Sequence, residues 1–235
     1  MNSLNPTIPP PPRWPERADA VVLAPGAFLK LQFFLHAGET EVGGFGLSSQ
    51  ANLLYVNDFV AVRQTASAVS VDLDSRAVAD HLDAMHGRDR TADECARIWI
   101  HTHPGTSASP SRSDERSFEE ACGQCDWAML LILARSGRTY ARLQFRAGPR
   151  TRTILPVKVD WSAWPQTFVN ARASHTDPRQ SWMEEYRQNI RLENATTMGE
   201  MKSAVTPAMT EDGVMKIRAT RLLPALVPVN PIPVD

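Results

Sequence analysis

Two histidines, a serine and an aspartate share one short run, His101-Thr102-His103-Pro104-Gly105-Thr106-Ser107-Ala108-Ser109-Pro110-Ser111-Arg112-Ser113-Asp114. In an extended strand residues i and i+2 face the same side, so His101 and His103 present two imidazole nitrogens to one metal ion. Asp114 follows after a loop and supplies a carboxylate oxygen. Two histidines and one carboxylate leave the fourth position of a tetrahedral ion open, the arrangement of a catalytic rather than a structural zinc. Nitrogen and oxygen donors with an open position favour zinc over other metals. Upstream, Glu41-Val42-Gly43-Gly44-Phe45-Gly46 offers a carboxylate that can act as general base. The glycines after it make a strand bare enough for a substrate backbone or the metal loop to approach closely. Glu39 stands beside Glu41 as an alternative base. Alone, a His-x-His pair is often two satisfied strand-edge histidines and Ser-x-x-Asp is often only a helix cap. In this order, with Glu41 upstream, the metal reading is preferred.

The elements needed to position these groups are legible around them. Ala96 to Ile100 is rich in β-formers and runs into His101, so Arg97 to His103 is expected as a strand. Pro104 and Gly105 break it. Ser111 with Asp114 resembles a capping pair, opening a helix from Asp114 to Cys122. Trp127 to Ala134 is a continuous apolar run of central-strand length. Tyr140 to Phe145 alternates after a Ser136-Gly137-Arg138 turn, and Thr153 to Val159 closes the sheet. Glu41 to Leu47, Leu53 to Arg63 and Val69 to Val71 read as further strands. Ser75 to His86 has helical spacing, with Asp72 or Asp74 as N-cap. Ala27 to Leu35 fits either a helix or a strand. Strands mixed with a few helices give an α+β domain.

His-x-His, seven residues and Ser-x-x-Asp, with an upstream Glu followed by small residues, resembles the signature of the JAMM (MPN-plus, JAB domain) zinc metalloproteases, in particular their prokaryote-type deubiquitinase-like members. The resemblance covers roughly residues 25 to 160. It implies a mixed β-sheet flanked by helices (a cytidine-deaminase-like core) and Zn2+ held by His101, His103 and Asp114. It implies Glu41 as the general base and Ser111 as hydrogen-bond donor to the oxyanion of the tetrahedral intermediate. The reaction implied is hydrolysis of the peptide or isopeptide bond at the C-terminus of a ubiquitin-like modifier, with E1-like and E2-like proteins of the same pathway as partners. The alternatives are a peptidase that processes a sulfur carrier, a DNA-repair-associated protein with a related motif, and a non-catalytic scaffold. The DNA-repair relatives carry His-Asn-His-Pro-Ser-Gly where this chain has His-Thr-His-Pro-Gly-Thr, and the complete residue set disfavours a scaffold.

With 235 residues, 43% hydrophobic, and a formal net charge of -1, the chain offers no polyanion-binding surface, so no nucleic-acid partner is expected. No apolar run reaches membrane-span length and no secretory pattern opens the sequence. Three cysteines, Cys95, Cys122 and Cys125, argue against a disulfide framework and for a reducing, cytoplasmic setting. Cys122-Gly-Gln-Cys125 has C-x-x-C spacing, but without a second pair of thiols it reads as buried reduced cysteines rather than a structural zinc or redox site. Three parts are expected: a Pro-rich N-terminal extension (1–20), the catalytic domain (21–160), and a C-terminal extension (161–235) with one helix and a Pro-rich tail. In that helix Trp182, Tyr186 and Ile190 form a stripe expected to pack back onto the domain rather than to hold a partner. Trp161, Trp164 and Phe168 form an aromatic group. His36, His81, His86 and His175 are not needed as ligands.

Overall fold

The computed structural model describes residues 19–146, 148–164 and 177–193. The proline-rich N-terminus up to residue 18, Phe168, His175 and the tail from 194 lie outside the described residues. Twelve strands among the described residues run β1 (Val21–Leu23), β2 (Gly43–Leu47), β3 (Tyr55–Val56), β4 (Asp58–Ala61), β5 (Gln64–Ser67), β6 (Ser70–Leu73), β7 (Ile98–His103), β8 (Trp127–Ala134), β9 (Thr139–Phe145), β10 (Thr151–Leu155), β11 (Val157–Val159) and β12 (Ile190–Leu192). The helices are α1 (Pro25–Ala37), α2 (Ser75–His86), α3 (Ala92–Cys95), α4 (Arg112–Cys122) and α5 (Pro178–Asn189), with a 3-10 turn at Trp161–Ala163. The fold is α+β, with mixed sheets and helices packed against them. No described helix is long and apolar enough to cross a membrane.

The main sheet has the order β10-β9-β8-β7-β2-β4. Only β7 and β8 are parallel within it; the other pairs are antiparallel. Both central strands are buried on two faces, as their apolar composition requires. Ile98 and Ile100 of β7 join Met129, Leu131 and Leu133 of β8 against Ala27, Leu31 and Phe34 of α1. On the other face Trp99, Leu130 and Ile132 pack with Phe118 and Cys122 of α4. Period-2 alternation therefore sends His101 and His103, which share parity with Trp99, toward α4.

Two smaller sheets flank this one: β11-β1-β3, parallel throughout, and β12-β5-β6. They account for the departures from the sequence reading. The single strand expected over Leu53 to Arg63 divides at Asn57, because β3 pairs with β1 and β4 with β2. The strand expected over Thr153 to Val159 divides at Pro156, which has no N–H for a ladder; β10 stays on β9 while β11 joins β1. Ala27 to Leu35 resolves as helix. Asp74, not Asp72, caps α2, its side chain accepting from the Ala77 N–H. Trp182 and Tyr186 of α5 pack against the main core beside Phe33 and Phe34, the packed reading of that stripe. Glu185 of α5 reinforces it by pairing with the buried Lys30 at 2.7 Å and accepting from the Ala61 N–H at 2.9 Å.

Candidate metal centre

The β2–β7 register pairs Gly43 with His101, and continued by two residues it sets Glu41 opposite His103. Two contacts lock that continuation: Thr102 N–H donates to the Val42 carbonyl at 2.9 Å, and the Thr102 hydroxyl accepts from Val42 N–H at 3.0 Å. The hairpin β5–β6 adds a second clamp. Buried Gln64 accepts from Gly43 N–H and donates to the carbonyls of Gly43 and Val62, each at 2.7 Å. Glu41 N–H itself donates to the Ser67 carbonyl at 2.8 Å. Nothing local in the sequence marks Gln64 or Thr102 for this work, since their partners lie 21 and 60 positions away.

Asp114 arrives from the other side, on α4. Ser111 is the N-cap and Asp114 the N3 residue of a reciprocal capping box: Asp114 N–H donates to Ser111 Oγ at 3.1 Å and Ser111 N–H to Asp114 Oδ2 at 2.7 Å. The cap therefore does not compete with a ligand role; it fixes the carboxylate that faces the histidines. The helix is docked by Phe118 stacking on Trp99, centroids 6.0 Å apart, and by a two-pronged Arg142–Glu115 ion pair. Such paired guanidinium–carboxylate contacts set orientation as well as energy.

These elements bring Glu41, His101, His103 and Asp114 together, all buried, with one ligand atom from each lying within 4.8 Å of the others. The two Nε2 atoms are 3.0 Å apart. Asp114 reaches His101 Nε2 through Oδ1 at 3.4 Å and His103 Nε2 through Oδ2 at 3.5 Å. Glu41 Oε1 is 3.7 Å from His103 Nε2. Nδ1 of His103 donates to the Ser107 carbonyl at 2.8 Å, which leaves its Nε2 lone pair facing the cluster, the usual device for orienting a ligating imidazole. Ser111 remains exposed at the rim, its hydroxyl 2.8 Å from Ser113 Oγ. Glu39 lies outside the cluster, exposed and paired with Arg135 at 2.8 Å. Arg135 also binds the Gly38 carbonyl through its side chain and the His103 and Gly105 carbonyls through its N–H, tying the end of α1 to the loop after β7.

The electrostatics follow from burial set against pairing. Burial raises the Glu41 carboxyl to about 7, with His103 opposing and Asp114 reinforcing the rise. Burial also acts to raise Asp114, but its contacts with His101 and His103 outweigh it and hold the carboxyl well below the usual range. His101, fully enclosed, is pushed down by burial, while His103 is raised because Asp114, Ser107 and Glu41 overcome its burial. A cation suits this set. Glu41 Oε2 is buried with no hydrogen-bond partner among the described residues, and two carboxylates converge on two imidazoles. Nitrogen and oxygen donors in this number are compatible with zinc.

The glycines after Glu41 serve packing rather than an open approach. A Cβ on Gly44 would lie 2.1 Å from the Val60 carbonyl oxygen, on the face toward α1, and one on Gly43 would lie 2.7 Å from Val71 Cγ1. Glycine is required there so that β4 and β6 can close on β2, and neither position leaves room for a substrate backbone.

Residues 45–146 match the family model described as prokaryotic homologs of the JAB domain. His101, His103, Ser111 and Asp114 lie inside that span, and Glu41 lies just before it. No curated protein matches the chain.

Proposed function

The chain carries a JAB domain and is a member of the JAB/MPN family; from that premise we propose that it is a zinc-dependent metallo-isopeptidase. It hydrolyses the peptide or isopeptide bond at the C-terminus of a ubiquitin-like modifier, in deconjugation or maturation, alongside E1-like and E2-like proteins of the same pathway. The observation that carries this reading is the convergence of Glu41, His101, His103 and Asp114 within 4.8 Å. His101, His103 and Asp114 would hold the ion, and zinc there would supply Lewis acidity enough to bring the pKa of a water molecule to about 7. Glu41, anchored by the Ser67 carbonyl and the Gln64 clamp, takes a proton from the attacking water and delivers it to the leaving amine. Ser111 Oγ accepts from Asp114 N–H; with the Ser113 hydroxyl donating to it across their 2.8 Å contact, its own O–H is the donor to the developing oxyanion. Among the described residues β6 is an edge strand, in the order β12-β5-β6, and its outer backbone groups suit an extended substrate tail by strand addition.

The test is cleavage of a ubiquitin-like protein extended at its C-terminus, by wild type and Glu41→Ala, with zinc quantified in both. Cleavage by the wild type and its loss in Glu41→Ala with zinc retained supports the reading. Equal cleavage by both variants overturns the role of Glu41.

A further inference from the structure

Cys122 and Cys125 lie at the far end of α4 from the metal centre. Cys122 is the last helical residue, and Cys125 N–H donates to the Cys122 carbonyl at 2.9 Å in a tight turn. Gly123 makes the turn possible: a Cβ there would lie 2.4 Å from the Glu119 carbonyl oxygen. Both cysteines are free, Cys122 buried and Cys125 half-buried. The two thiols are electrostatically coupled across this turn, and the Arg97 guanidinium bears on Cys125. Arg97 is buried and fixed by Asp93 and Asp126, each at 3.0 Å.

We propose that Cys122 and Cys125 form a redox-active dithiol that exchanges with small-molecule disulfides, Cys125 being the attacking sulfur and Cys122 the resolving one. In the first step the Cys125 thiolate attacks one sulfur of the disulfide. A mixed disulfide forms and one small-molecule thiolate leaves. Cys122, after giving up its proton to solvent, then attacks the Cys125 sulfur. The Cys122–Cys125 bond forms and the second small-molecule thiol departs. The protein dithiol is oxidised by two electrons and the disulfide is reduced to two thiols.

The division of labour follows from the surroundings. The contact with Cys122 lowers the Cys125 thiol to about 6; burial opposes this, Arg97 adds to it, and Asp126 works against it. The same contact, with burial and the Glu119 charge, raises Cys122 well above its usual value. Cys125 is also the more accessible of the two. An acidic thiol gains in thiolate fraction and loses part of the gain in nucleophilicity. Cys95 serves as an internal control, being buried with its Sγ donating to the Thr91 carbonyl at 3.2 Å and its pKa raised by burial.

The test is incubation of the full chain with oxidised glutathione, followed by alkylation of remaining thiols and intact-mass analysis. Wild type is expected to lose two thiols together, with no glutathione retained and Cys95 still alkylated. At pH 6 the reaction should run roughly tenfold faster than with free cysteine. Cys122→Ser should stall with one glutathione per chain, and Cys125→Ser should lose the fast reaction. Because Cys122 is buried and its variant is liable to misfold, wild type and Cys125→Ser decide the matter by themselves. A wild type that reacts no faster than free cysteine, or that keeps glutathione without closing the bridge, overturns the proposal. So does a Cys125→Ser variant that reacts as fast as wild type.

Discussion

Gln64→Leu is the substitution that best separates the scaffold of the site from its chemistry. The leucine approximates the volume of the glutamine but offers no hydrogen bond, so Gly43 N–H and the carbonyls of Gly43 and Val62 lose their 2.7 Å partners in a buried setting. A net loss of about 1 kcal/mol per bond gives roughly 3 kcal/mol, at the low end of what unpaired buried groups cost. With a urea slope near 2 kcal/mol/M, the midpoint should fall by about 1.5 M. None of His101, His103 or Asp114 touches Gln64 among these contacts, so zinc content should remain that of wild type. Glu41 sits two residues from the freed Gly43, and a shift of about 1 Å in a catalytic group costs on the order of 100-fold in rate. The assay is urea unfolding beside kcat on an extended ubiquitin-like substrate at matched zinc content. A midpoint within about 0.3 M of wild type, together with unchanged kcat, would refute the view that Gln64 holds the Glu41 segment in place.

Ser111→Ala should cost about 1 kcal/mol through loss of the cap and about 100-fold or more in kcat through loss of the oxyanion donor, with zinc retained; a kcat within twofold of wild type would remove Ser111 from the chemistry. Gly44→Ala should abolish soluble folded protein or destabilise it by several kcal/mol, because its Cβ meets the Val60 carbonyl at 2.1 Å, whereas Gly105→Ala, with nothing within 4 Å, should be tolerated in thermal melts. His81, stacked on Phe45 and bonded to the Cys95 carbonyl at 3.2 Å, has its pKa lowered chiefly by burial. The unfolded chain then takes up the proton more readily than the folded one. The His81 contribution is complete above the unfolded value of 6.5 and is lost as pH falls below it toward the folded value, by at most about 1.4 kcal/mol per pH unit. Urea midpoints from pH 7.5 to 5 should fall less steeply in His81→Gln, and parallel curves would contradict this.

The site was legible where its determinants are local. His101 and His103 needed only strand parity, and Asp114 needed only the Ser111 capping box, which one segment of sequence encodes in full. Glu41 was harder, because its approach to His103 depends on the β2–β7 register. The residues that lock that register, Gln64 and Thr102, are ordinary strand residues in sequence and gain their meaning from partners far along the chain. The same distance in sequence explains the divided strands: the apolar pattern of Leu53 to Arg63 looks continuous, and only pairing with β1 on one side and β2 on the other separates β3 from β4. Gly43 and Gly44 read in sequence as sites of close approach, and what approaches is the protein's own β6 and β4.

Whether Glu41, His101, His103 and Asp114 form a metal-dependent hydrolytic centre is decided by removing the metal and returning it. Zinc per chain and cleavage of the extended ubiquitin-like substrate would be measured together as purified, after chelation, and after zinc is added back. One zinc per chain is expected, with loss of cleavage on its removal and recovery as one equivalent returns, and with His103→Ala failing to bind or recover. Cleavage that persists in the zinc-free protein, or a chain that takes up no zinc at all, would contradict a metal-dependent centre.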